Sequence, residues 1–236
     1  MSLKPEPPRN TITLPREYSS TETLFQIISK YKSLRLTALQ TDPAAFTSTY
    51  AREIQFSDEA WKGRVLNPLA RIFIFLDCTS NIQAEDLDLS GESGSSDVEV
   101  LMKYPWLGQL TLLGPVVYPD GNSRPWELFN GIDFKAAAEE AELIRPGERV
   151  VYILVGMYVL AQARGGGAGG GLLEKALAVV AKEARDKSLD ATLVVLVACS
   201  NTGAKRLYER VGFVAREQTV DIEGDEHWAL YLNSSL

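Results

Sequence analysis

The stretch from Arg149 to Ala198 constrains the fold more than any other part of the sequence. It opens on one apolar run, Arg149 to Val159, and closes on another, Ala191 to Ala198. Between them lies Gln162-Ala163-Arg164-Gly165-Gly166-Gly167-Ala168-Gly169-Gly170-Gly171-Leu172-Leu173, followed by alanine- and lysine-rich sequence to Lys187. Short β-branched runs without polar alternation read as strands buried on both faces, and Gly169 to Lys187 reads as a helix. Two such strands joined through a helix form a right-handed βαβ unit with parallel strands. The fold class is therefore α/β, with a mixed central sheet flanked by helices.

The remaining segments add to this sheet. Ala70 to Leu76 and Leu107 to Val117 read as strands, Thr11 to Leu14 as a short first strand, and Phe213 to Ile222 with Glu226 to Leu232 as a closing hairpin with His227 on an edge strand. Leu24, Ile27, Ile28, Tyr31, Leu34, Leu36 and Leu39 form a helical stripe that Thr21 or Thr23 can cap and Pro43 ends. Shorter helices are expected from Pro43 to Arg52, from Ser57 (the cap) to Val65, from Phe134 to Leu143 and from Gly203 to Arg210. Residues 1–10 read as a flexible N-terminal tail and 11–236 as one domain. Ser90 to Ser96 reads as a loop inside an acidic stretch.

Several function classes are disfavoured. A net charge of −7 argues against nucleic acid as the main partner. No run reaches the length of a membrane span, and the N-terminal residues lack the apolar core of a signal peptide. One histidine and two scattered cysteines, Cys78 and Cys199, give no zinc cluster and no disulfide framework, so a reducing, cytoplasmic location is expected. A homodimer is left open.

Six glycines fall within residues 165–171, at a cost in backbone entropy that makes sense where main chain must turn tightly or touch a ligand. With the helix start that follows, such a loop makes an anion site suited to phosphate. A P-loop needs Gly-Lys-Ser/Thr, and Gly171-Leu172-Leu173 supplies neither the lysine nor the hydroxyl. A dinucleotide fingerprint can be forced onto Gly165, Gly167 and Gly170, but Asp190 precedes the next strand instead of ending it, which argues against a nicotinamide oxidoreductase.

The pattern Arg164-Gly165-Gly166-Gly167-Ala168-Gly169 with Leu172-Leu173 resembles the acyl-CoA motif of the GCN5-related N-acetyltransferases (GNAT). A second signature follows: Val195-Leu196-Val197, Asn201, Ala204, Leu207-Tyr208-Glu209 and Gly212-Phe213. Leu34 to Phe46, with Glu53 and Trp61, resembles the first-helix region of many members. The resemblance implies a single-domain acyl-CoA N-acyltransferase fold with splayed fourth and fifth strands, and insertions near 83–100 and 120–148.

The same resemblance implies acetyl-CoA as acyl donor and a small-molecule or peptide amine as acceptor. The pyrophosphate would lie on the amides of Arg164, Gly165, Gly166, Gly167, Ala168 and Gly169. The pantetheine arm would run beside Met157, Tyr158 and Val159, near Asn201 and Ala204. A backbone amide near Met157 would stabilise the oxyanion, at a bulge that Gly156 eases. Tyr208 matches the signature tyrosine and would protonate the departing thiolate. Many members carry a glutamate on the fourth strand; the matching position here is Val155. Glu53, Asp225, Glu226 and His227 are the remaining candidate bases, and His227 is named beside Tyr208 as catalytic because imidazole exchanges protons near neutral pH. A CoA-binding protein without efficient turnover is the alternative.

Overall fold

The computed structural model describes residues 11–77, 95–121, 124–222 and 224–234. Seven strands form one sheet: β1 (Thr11–Thr13), β2 (Ala70–Leu76), β3 (Trp106–Val117), β4 (Arg149–Val159), β5 (Asp190–Ala198), β6 (Val214–Ile222) and β7 (Asp225–Ser234). They lie in the order β1-β2-β3-β4-β5-β7-β6. β4 and β5 are parallel, as the βαβ reading requires, and the other neighbours are antiparallel. The helices are α1 (Thr21–Thr41), α2 (Tyr50–Glu53), α3 (Asp58–Val65), α4 (Ser95–Lys103), α5 (Phe134–Ala141), α6 (Ala168–Lys187) and α7 (Thr202–Arg210).

Side-chain alternation along β2 divides the core into two layers. Phe73 and Phe75 pack with Leu172, Leu173 and Ala176 of α6, whereas Ile72, Ile74 and Leu76 pack with Ile28, Tyr31 and Leu34 of α1. α1 buries the stripe that its periodicity marks, but its cap is Ser20, whose hydroxyl accepts from the Thr23 amide at 3.1 Å. Ser57 caps α3 through the Ala60 amide, as expected.

Along β4 the alternation breaks once, and this break positions the site. Val155 lies opposite Thr111 and Tyr158 opposite Gln109, so Gly156 and Met157 together face Leu110. Gly156 takes a left-handed conformation, φ 63°, at this bulge. An extra residue reverses the parity of every side chain beyond it. Val150, Tyr152 and Leu154 face α6 before the bulge; Met157 and Val159 do so after it, and Tyr158 joins the α1 layer. At the same point β4 parts from β5: their pairing ends at Leu154–Val195, while β5 stays on β7 as far as Ala198–His227. The fourth and fifth strands are thus splayed, and a wedge opens between them.

Several expectations need correction. β7 lies between β5 and β6, so His227 stands on an interior strand and is buried. Part of the acidic stretch expected as loop and insertion is helix α4, whose Val100 and Leu101 are in the core. Lys30 fastens the end of that helix by donating to the carbonyls of Leu101, Met102 and Tyr104 at 2.8–3.0 Å. Residues 83–94 of the expected insertion and the tail 1–10 fall outside the described residues. The helix expected from Pro43 to Arg52 reduces to a 3-10 turn at Pro43–Ala45 and the single turn of α2. Within 120–148, Asp133 caps α5, which packs Ala137 and Ala141 near Leu69.

Candidate functional site

The wedge holds two connected cavities that share Ala45, Met157, Asn201 and Ala204 in their walls. The larger, about 600 Å³, lies over the glycine loop and between the first turns of α6 and α7. The smaller, about 280 Å³, reaches through the gap between β4 and β5 towards α1 and β7.

Backbone builds the larger lobe. Gly165 and Gly167 are left-handed, φ 79° and 87°, and Gly167 is the N-cap of α6, where no side chain caps the helix. The amides of Ala168, Gly169 and Gly170 in that first turn have no partner further back in the helix, and they carry the positive end of its dipole. A Cβ at Gly165 or Gly167 would meet no protein atom within 4 Å. Crowding by the protein therefore does not explain these glycines; left-handed backbone and an open cradle do. At Gly169 a Cβ would approach Leu207 Cδ2 at 3.1 Å and Met157 Cε at 3.3 Å, so this glycine also lets α6 lie close to α7 and the bulge.

Arg164 is tied down and does not point freely into the lobe. Its Nε donates to the Val159 carbonyl at 2.9 Å and its Nη2 to Asp42 at the end of α1 at 2.6 Å. Arg210 also lines the lobe, Lys205 pairs with Glu209 at 2.7 Å, and Arg206 is exposed. Gly166 is exposed beside Arg164, and Ala168 is buried under the helix start.

At the junction, Asn201 Oδ1 accepts from the Ala204 amide at 3.0 Å and caps α7. Since the oxygen caps, the carboxamide NH₂ remains a donor at the meeting point of the lobes, so capping and ligand binding do not exclude one another. The Tyr208 hydroxyl donates to Met157 Sδ at 3.1 Å, while its ring stands edge-on to Phe213. Burial pushes this phenol up, which keeps it protonated. Met157 and Val159 reach the site with their side chains. Tyr158 does not: its hydroxyl is hydrogen-bonded to Thr41 Oγ1 at 2.6 Å in the other layer, which leaves only its backbone to the cleft.

The smaller lobe brings together residues far apart in sequence. His227 stands opposite Ala198 and lines it. The His227 Nδ1 lies 2.9 Å from the Asp225 carbonyl oxygen. A carbonyl can only accept, so Nδ1 carries the proton and Nε2 of the neutral ring keeps its lone pair. Val155 lines the same lobe where a fourth-strand carboxylate would stand. Asp225 and Glu226 are exposed at the β6–β7 turn. Glu53 is fully buried and ion-paired: Arg35 reaches it through Nε at 3.1 Å and Nη2 at 2.7 Å, and Arg64 through Nη1 at 2.7 Å. Burial alone would raise its carboxyl, but the two guanidiniums outweigh burial and bring it to about 2. It is therefore unsuited to take a proton, which corrects its place among the candidate bases.

Arg35 belongs to none of the motifs that mark the site in the sequence. It lies on the buried face of α1, three or four positions from Tyr31 and Ala38, and a charged residue at such a position was the available signal.

Residues 133–215 match the family model of the acetyltransferase (GNAT) domain. The crystal structure of Arabidopsis thaliana NAA60 with a bisubstrate analogue is similar, with a TM-score of 0.51 at 15% identity, covering 94% of this chain and 97% of that one. The same protein in complex with acetyl-CoA gives 0.50 at 15% identity over 87% and 94% of the two chains. An acetyltransferase of the GNAT family from Streptococcus pneumoniae gives 0.50 at 14% identity over 94% and 98%. No curated protein matches the sequence. At these identities the structural likenesses establish the fold, and the family model identifies the unit at its centre.

Proposed function

We propose, from the premise that this chain belongs to the GNAT acetyltransferases, that it transfers an acetyl group from acetyl-CoA to a primary amine by direct attack. The observation that carries the reading is the two-lobed cleft at the splay of β4 and β5, with an uncapped helix start and left-handed glycines in one lobe and a tyrosine hydroxyl at the junction. The fit to the donor is chemical. A diphosphate needs several convergent N–H donors and little side-chain bulk, and the first turn of α6 behind Gly165 and Gly167 offers both. That Arabidopsis thaliana NAA60 was solved with acetyl-CoA supports the choice of donor.

Bound acetyl-CoA supplies a thioester whose carbonyl carbon accepts the amine. The protein's own groups then divide the work. The Arg164 amide is spent on the Ala161 carbonyl, so amides 165–170 hold the diphosphate in place of the expected 164–169, and the side chains of Met157 and Val159, with the Asn201 carboxamide, line the path towards the junction. The bulge at Gly156 turns strand backbone towards the cleft, where an amide can stabilise charge on the carbonyl oxygen. As the carbon–nitrogen bond forms and the carbon–sulfur bond breaks, His227 Nε2 takes the proton that the amine loses, directly or through water. Tyr208 gives its proton to the departing sulfur.

Val155 favours one second reading, a CoA-binding protein with little turnover, since β4 offers no carboxylate. Calorimetry with acetyl-CoA, paired with thiol release over a broad amine panel, decides between them. Saturable binding with thiol release supports transfer. Binding without release supports the second reading, and no binding removes both.

A further inference from the structure

Among the groups around the smaller lobe, one buried donor has no partner. Arg35 spends Nε and Nη2 on Glu53, but its Nη1 is shielded from solvent and makes no hydrogen bond. The residue is 9% exposed and lines the lobe. A Cβ at residue 156 would lie 4.0 Å from Nη1, so this nitrogen reaches the bulge where β4 leaves β5. Leaving a buried guanidinium donor without a partner is costly, and such an atom on a side chain that lines a cavity points to a ligand.

The local charge indicates which ligand. Arg35 and Arg64 share the single carboxylate of Glu53, which leaves one positive charge in excess. Both Glu53 oxygens are taken by those guanidiniums. No acidic side chain lines the smaller lobe among the described residues, and Arg35 is the only permanently charged one there. The net charge of the whole protein is negative, yet this pocket is cationic at its head. A polyamine would meet that charge with nothing to offset it, whereas a carboxylate would complete the guanidinium.

We propose that Arg35 Nη1 anchors the carboxylate of the acceptor, and that the acceptor is a small amine of the amino-acid type, with a carboxylate near the reacting nitrogen. This rests on the transferase reading above. The volume of the lobe, about 280 Å³, suits a small molecule. The guanidinium itself is held in place from behind, because Glu53 fixes two of its nitrogens and the Phe46 ring lies 4.6 Å from its central carbon.

The test uses matched amines that differ only in the carboxylate: L-leucine against 3-methylbutylamine, and L-phenylalanine against 2-phenylethylamine. The intact protein is measured by calorimetry in the presence of CoA and by thiol release with acetyl-CoA. The amino acids are expected to be preferred about 10- to 100-fold, the usual worth of a hydrogen bond to a charged group. Arg35→Gln should abolish that preference chiefly through KM while leaving acetyl-CoA affinity in place. The double variant Arg35→Gln with Glu53→Gln removes the buried carboxylate along with its partner, and gives the same readout if the single variant unfolds. Because the carboxylate also makes the neighbouring amine less basic, a preference in the unaltered protein supports the inference only where Arg35→Gln or the double variant removes it. Equal handling of each pair by a protein that binds CoA overturns the inference and leaves the transferase reading standing. An equal loss of kcat for both members of a pair in Arg35→Gln also overturns it, because Nη1 would then act on the acyl group. Absence of acetyl-CoA binding overturns the underlying reading and this inference with it.

Discussion

Replacing Tyr208 with phenylalanine separates chemistry from cofactor retention. The ring is 3% exposed and edge-on to Phe213, with centroids 5.4 Å apart, and phenylalanine keeps both the volume and that contact. What is lost is one hydrogen bond to Met157 Sδ, a weak acceptor that tolerates being left bare. The stability cost should be about 1 kcal/mol, or roughly 2–4 °C in melting temperature for a chain of this length. The diphosphate and the pantetheine path do not depend on the hydroxyl, so acetyl-CoA affinity should change less than about threefold, under ~0.7 kcal/mol. The rate should respond differently. The phenol that burial keeps protonated is the proposed acid, and its removal should slow transfer by about 10- to 1,000-fold, the lower end applying if water enters in its place. The assay is thiol release with the best amine of a panel, beside calorimetry and a melting curve. Unchanged turnover in a folded variant would refute Tyr208 as the acid. Parallel loss of stability and rate would identify a structural hydroxyl instead.

Three further outcomes are expected. His227→Gln should keep acetyl-CoA affinity but slow transfer by about 100-fold, whereas unchanged turnover in a folded variant would remove His227 as the base. Gly167→Val should cost roughly 1–2 kcal/mol through its left-handed φ and weaken CoA more than tenfold by projecting methyl groups into the open cradle; full affinity in a folded variant would take Gly167 out of the site. Because the folded-state carboxyl of Glu53 sits at about 2, below its ordinary 4.5, its ion pairs stabilise the fold fully above the ordinary value and lose that contribution as pH falls towards 2. The protein should accordingly shed about 3 kcal/mol more between pH 5 and 2 than Glu53→Gln does, and parallel acid melting curves would refute the assignment.

The half of the cleft proposed to hold the donor is legible in the sequence because its signals are local. Two apolar runs, a loop of glycines and a helical stripe lie within fifty consecutive residues, and each follows from backbone rules that act over a few positions. Gly156 could also be flagged as the place for a bulge. The consequence of that bulge could not, since its parity depends on how β4 registers against β3, forty residues earlier. Met157, Tyr158 and Val159 were thus expected to serve together, whereas one extra residue opposite Leu110 turns Tyr158 to the other layer. The acidic stretch hid α4 for a related reason: Glu99 is exposed beside the buried Val100 and Leu101, and composition masked the stripe.

The half proposed for the acceptor is assembled from distant pieces, and this explains why a substrate is harder to read from the sequence than a cofactor. α1 brings Arg35, β4 its bulge, and β7 His227, and no short motif contains any two of them. β7 comes between β5 and β6 by inserting beside the open flank of β5, a tertiary outcome that a hairpin pattern does not specify. That insertion turns His227 from an expected edge residue into a buried one opposite Ala198. Net composition misleads at the same spot, because the chain is acidic while the pocket head carries the surplus of two guanidiniums over one carboxylate. In the proposed function, donor recognition would rest on main-chain amides that any sequence with the right turn can supply. On the inference above, acceptor recognition would rest on which charged side chain the fold leaves incompletely paired, and among those lining the smaller lobe that is Arg35.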